Sequence, residues 1–311
     1  MNPAFSVVVF TTAAGAGQGL AVALAIALLA GVPMAPSFVR ASLLVALVLL
    51  VVGLASSFLH LGRPARAWRA AAMWRTSWLS REVIVLPAFI VVVAAWWLAA
   101  REPESMPARL ALPLAAVAGA VLLWYCTAMI YACLRFIEEW AQPLTVVNFI
   151  LLGLSSGSVL ASALAASAGE ERALSFALPL ALVTTLAAWA SRTAAWRRNA
   201  ALRHRSTLQS ATGIRSPRLA QTSMGMSAGS FNTREFFHRA SLSALRRIKG
   251  IAIVLGFALP ALTLAGVAAG VLPGLACVLA FIVQVPGLVA DRWLFFAQAK
   301  HPQNLYYQVV S

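Results

Sequence analysis

The sequence predicts an all-α integral membrane protein, an eight-transmembrane-helix bundle with a long basic loop between helices 6 and 7. Three observations lead there. Hydrophobic residues make up 61% of the chain and charged residues 11%, against about 25% charged in soluble domains, and mean hydropathy is +0.83. Apolar runs of roughly twenty residues, enough to cross a hydrocarbon core, recur along the chain. Between residues 192 and 249 the composition turns polar and basic. Backbone inside lipid has no water to pair with, so the apolar runs must be helices. The length would suit about two soluble domains, but one bundle over residues 1–311 is more economical.

Span one covers about 4–29. Gly15, Gly17 and Gly19 alternate there around Gln18, which suits close helix packing without reading as a GxxxG face. No Lys or Arg precedes it, and it is too long for a signal-peptide core, so it reads as a retained helix. A turn with Pro33 and Pro36, then Arg40, leads to span two, 41–61, which is uncharged and ends on His60. A basic, Trp-rich turn from Arg63 to Arg81 follows. Span three, 82–100, opens on Glu82, and Pro87 should kink or loosen it. Span four, 110–134, carries Tyr131 near its end, with Arg135, Glu138, Glu139 and Trp140 just beyond. Spans five and six are 143–167 and 173–191.

The segment 192–249 holds twelve basic residues and reads as a solvated loop, except that Phe231, Phe236 and Phe237 suggest burial against something. Spans seven and eight, 250–272 and 273–290, close the bundle, and 291–311 is an external tail. An even number of spans puts both termini on one side. That side carries 20 Lys+Arg and the other 4, which predicts cytoplasmic termini and a cytoplasmic basic loop.

Composition also excludes. The formal charge of +15 comes from 24 Lys+Arg against 9 Asp+Glu. These bases cluster beside spans, where they orient helices and meet anionic headgroups or a protein partner; no nucleic acid is expected. Cys126, Cys133 and Cys277 fall inside predicted spans without a CxxC, so neither zinc nor an iron–sulfur cluster is expected on this chain. Of four histidines only His60 lies in a span, which argues against bis-His haem; no metal site is expected. The absence of an internal repeat weakens a transporter reading.

His60 and Glu82 flank one turn, so topology places both near the same membrane surface. Interconverting quinone and quinol moves two electrons and two protons, and the ring oxygens need a partner that exchanges protons near neutrality. Histidine does so at its ordinary pKa, and a desolvated carboxylic acid can be brought into range. The alternative is structural: His60 bonding its turn, and Glu82 as a helix-start acid paired with Arg81 or another arginine. Tyr131 and Arg135, at i and i+4, read either as interfacial anchors or as contacts to a quinone carbonyl. Asp291 and Arg292 read as an adjacent ion pair or as a wall of the same cavity.

Two motifs carry a resemblance. Leu59-His60-Leu61-Gly62-Arg63-Pro64, followed by Trp78-Leu79-Ser80-Arg81-Glu82, resembles the paired signature of the dimethyl sulfoxide reductase anchor-subunit family. The stretch from Gly229 to His238 and the tail from Arg292 to Tyr307 resemble its sulfite:quinone oxidoreductase membrane subgroup. The resemblance implies a quinone-binding anchor without haem or cluster of its own, a non-molybdenum subunit of an oxidoreductase complex. It would exchange electrons with an iron–sulfur subunit that serves a molybdopterin catalytic subunit, using menaquinone or ubiquinone. His60 and Glu82 would act on the quinone, with Gly62 in the same motif and Arg63, Tyr131, Arg135 and Arg292 around it. Sulfite oxidation coupled to quinone reduction is the expected direction; a quinol-oxidising sulfoxide reductase anchor of anaerobic respiration is the alternative.

Overall fold

The computed structural model describes residues 1–59, 63–223, 236–238 and 240–306. Among them are eight helices long and apolar enough to cross a membrane: α1 Phe5–Leu29, α2 Pro36–Phe58, α3 Trp78–Ala99, α4 Pro107–Ala132, α5 Pro143–Ala168, α6 Glu171–Ala200, α7 Leu242–Ala268 and α8 Ala276–Ala297. No strand occurs among the described residues. Of their most apolar stretches, 72% is buried in α1 and in α5, against 28% to 44% in the other six. The bundle is thus built around α1 and α5. The outer helices turn exposed apolar side chains outward, such as Val48 and Val51 of α2, Val91 of α3 and Leu262 of α7.

Small residues let the central pair meet. A Cβ on Gly19 would lie 1.9 Å from the carbonyl oxygen of Gly153, and one on Gly157 would lie 2.0 Å from the carbonyl carbon of Gly19. This corrects the alternating reading of the glycines. Gly15 and Gly19 are four apart and meet Gly153 and Gly157, also four apart, so two GxxxG faces oppose each other.

Hydroxyl pairs join α5 to α6, with Ser155 and Thr185 at 2.8 Å and Ser158 and Thr184 at 2.9 Å. Gln284 of α8 donates to Ser155 Oγ at 3.0 Å. Buried hydroxyls and amides bonded to one another in this way hold helices together where lipid supplies no hydrophobic driving force.

Helix ends depart from the sequence expectation wherever charge or capping intervenes. Ser77 caps α3 by accepting from Ser80 N, so the helix starts at Trp78 and Glu82 lies in its second turn rather than opening it. Ser241 caps α7 in the same way through Ala244 N, starting that helix at Leu242 instead of 250. α4 ends at Ala132, and the chain turns before Arg135. Two helices also run on at their ends: α6 continues past 191 to Ala200, and α8 continues past 290 to Ala297. Arg192, Asp291 and Arg292 therefore lie inside helices. Hydropathy reads each charge as an exit to water, but Arg192 and Asp291 are buried against each other and Arg292 is buried against the Phe149 ring.

Candidate functional site

Glu82 is buried, with 6% exposure. Its Oε1 accepts a hydrogen bond from the Thr127 hydroxyl of α4. No arginine pairs with it among the described residues. Arg81 instead stacks on Trp78, 4.1 Å from the ring centroid, and donates to the carbonyls of Trp74 and Arg75, folding the turn back onto the start of α3. The helix-start ion pair is therefore not formed, and the acid faces the bundle interior with a neutral partner.

Thr127 and Tyr131 are four apart on α4 and share a face. Tyr131 stacks on Phe149 at 5.7 Å and meets the edges of Trp140, Phe295 and Phe296 at 5.2 to 5.4 Å. It lies within electrostatic reach of both Glu82 and Arg292. Arg292 is itself buried, its guanidinium 3.9 Å from the centroid of the Phe149 ring. The fold thus brings Glu82, Tyr131 and Arg292 together from α3, α4 and α8. Arg63 and Arg135 are exposed. His60 and Gly62 lie outside the described residues, although Leu59 caps α2 immediately before them.

Asp291 does not pair with its sequence neighbour. Its Oδ1 accepts from Arg192 Nε at 2.7 Å, with both side chains at most 5% exposed. Thr127 and Arg192 are the residues that sequence reading missed. The spacing of four to Tyr131 was the available signal for Thr127; Arg192 carried none, since its partner is 99 positions away.

At the end of the bundle where α4, α6 and α8 finish, the α6–α7 connection and the tail fold together. Asn304 donates to the Phe236 carbonyl at 3.1 Å, Tyr306 to that of Ala211 at 2.7 Å, and His301 stacks on Phe236 at 4.1 Å. Phe237 is buried, and Phe231 lies outside the described residues. An open concavity of about 1060 Å³ runs between the two segments, lined in part by Phe136, His204, Phe237, His238 and Lys300. Burial holds the His238 and His301 imidazoles below the ordinary histidine pKa. Among the described residues no three His, Cys, Asp or Glu side chains gather as metal ligands.

The family model described as DMSO reductase anchor subunit (DmsC) matches residues 1–297. The chain belongs to the DMSO reductase anchor subunit family. A sulfite dehydrogenase subunit of Allochromatium vinosum is 47% identical over 327 aligned residues that cover the whole of both chains. Anaerobic dimethyl sulfoxide reductase chain YnfH of Escherichia coli is 30% identical over 142 residues, 45% of this chain and 48% of its own. With eight apolar spans and this membership, the protein is a multi-pass membrane anchor subunit.

Proposed function

We propose that this anchor binds quinone at Glu82 and passes electrons to it from an iron–sulfur subunit serving a molybdopterin subunit that oxidises sulfite. The observation that carries the reading is the buried carboxyl of Glu82, one turn into α3, bonded to Thr127, with Tyr131 a turn further along α4 stacked on the Phe149 ring that Arg292 also covers. An ionisable group inside a membrane span is a functional candidate. Reduction of the quinone takes two electrons and two protons. Glu82 and His60, on either side of the basic turn, exchange those protons with the two ring oxygens, while Tyr131 and Arg292 bound the ring. Sulfite supplies the electrons on the partner subunit, taking up a water oxygen to become sulfate and releasing two protons.

The full-length likeness to a sulfite dehydrogenase subunit supports sulfite as donor. The charge count favours cytoplasmic termini, and in the bacterial inner membrane expected of such an anchor the α6–α7 connection and the tail would dock the iron–sulfur subunit from that side. The test is to purify the chain with its associates and record metals, visible spectrum and electron exchange with a quinone analogue. Co-purifying molybdenum and iron with sulfite-dependent quinone reduction is the expected result. Sulfoxide-dependent quinol oxidation would reverse the flow, in line with the name of the Escherichia coli relative. A lone chain inert to quinone would sink the reading.

A further inference from the structure

We propose that the turn between α2 and α3 is a docking surface for anionic phospholipid headgroups. The turn joins two membrane-crossing helices, so it lies at the bilayer surface. Between Leu59 and Arg81 it holds five arginines and no acidic residue. Arg66, Arg69 and Arg75 are exposed and make no ion pair with any described residue. Arg69 and Arg75 each stack on the neighbouring tryptophan, 5.5 Å from the ring of Trp68 and 5.4 Å from that of Trp74. Those tryptophans are 71% and 53% exposed. Cations backed by amphipathic rings are the arrangement that settles at headgroup depth, the ring toward acyl chains and the guanidinium toward phosphate.

The choice of a lipid rather than a protein partner comes from what surrounds the turn. Leu59, at 82% exposure, and Leu79 flank it. They continue the exposed apolar faces of α2, at Val51 and Val52, and of α3, at Ile84 and Val91. Among the described residues, the basic turn thus adjoins the exposed apolar sides of the two helices. A phosphodiester bearing acyl chains matches both, and a free phosphate matches only the turn. The inference is independent of the quinone reading.

The test is native mass spectrometry of the complex released from nanodiscs that mix phosphatidylglycerol with phosphatidylcholine. Each basic residue near an anionic surface favours binding by about fivefold. The R66Q/R69Q/R75Q variant should therefore lose roughly a hundredfold of its preference for retained phosphatidylglycerol, while R66K/R69K/R75K keeps it and millimolar inorganic phosphate does not displace the lipid. The lysine variant holds the charge and so remains informative if the glutamine variant fails to fold; loss of preference in a folded lysine variant would overturn the proposal. Equal retention by wild type and a folded glutamine variant would overturn it, as would displacement by inorganic phosphate. So would loss of partner chains from a glutamine variant that keeps its lipid, which would make the turn a protein contact.

Discussion

Asp291→Asn should destabilise the bundle more than Arg192→Gln, although both break the same ion pair. The pair is 2.7 Å long, with side-chain exposures of 5% and 1%. Removing one partner from a buried pair costs about 3–5 kcal/mol, because the other charge is left without compensation. Here the two sides differ. Arg192, Asp291 and Arg292 carry two positive charges and one negative. Asp291→Asn leaves two buried guanidiniums and no acid beside them. Arg192→Gln leaves Asp291 next to Arg292, which can turn from the Phe149 ring to neutralise it, so this cost falls at or below the lower end of the range. Replacing both residues with leucine removes the pair as a unit and should restore part of the loss, since an apolar substitute for a buried pair is often neutral while the buried Arg292 is still left without an acid. Unfolding by dodecyl sulfate titration in mixed micelles reads all three. Tryptophan fluorescence is a suitable signal because the Arg192 guanidinium sits 5.0 Å from the Trp196 ring. An Asp291→Asn variant within about 1 kcal/mol of wild type, the scale of exposed ion pairs, would show that the three charges are not buried together as described. So would a double variant less stable than either single one.

Other outcomes follow from contacts already described. Gly157→Ala drives a methyl group to 2.0 Å from the Gly19 carbonyl carbon and should cost about 1–3 kcal/mol or more; in the same titration Gly250→Ala, with nothing within 4 Å, should gain about 0.5–1 kcal/mol. Thr127→Val strands the Glu82 oxygen that it now satisfies, a loss of about 1–3 kcal/mol. If that oxygen must be held to meet the quinone, quinone-linked turnover falls roughly tenfold or more, and Thr127→Ser retains it. His301 has a depressed pKa in the folded state, so its contribution to tail docking is complete above the ordinary histidine pKa of about 6.5 and is lost as pH falls through the folded value. Tryptic cleavage after the exposed Lys300, compared at each pH with His301→Phe, should accelerate on acidification in the wild type alone.

Span number and the prominence of Glu82 were legible in the sequence because both depend on local composition. Twenty apolar residues bounded by basic turns can do little else than cross a membrane, and one acid at the start of such a run stands out. What escaped depended on distant partners. Thr127 reaches Glu82 from 45 positions away. Arg192 and Asp291 look like helix exits until the fold shows that each neutralises the other inside α6 and α8. The opposed glycines of α1 and α5 looked like alternation because a single helix does not reveal which of its small residues face a neighbour. Arg135 was placed on the face of Tyr131 by extending a helix that ends at Ala132.

Quinone chemistry at Glu82 is tested most directly by sulfite-dependent quinone reduction in the membrane complex carrying Glu82→Gln, measured beside sulfite oxidation with an artificial acceptor that takes electrons from the catalytic partner. Quinone reduction should collapse while artificial-acceptor activity and the ratio of the assembled chains stay at wild-type levels, with His60→Ala behaving alike. Wild-type quinone reduction in a fully assembled Glu82→Gln complex would contradict the proposed role and move the proton exchange to another group.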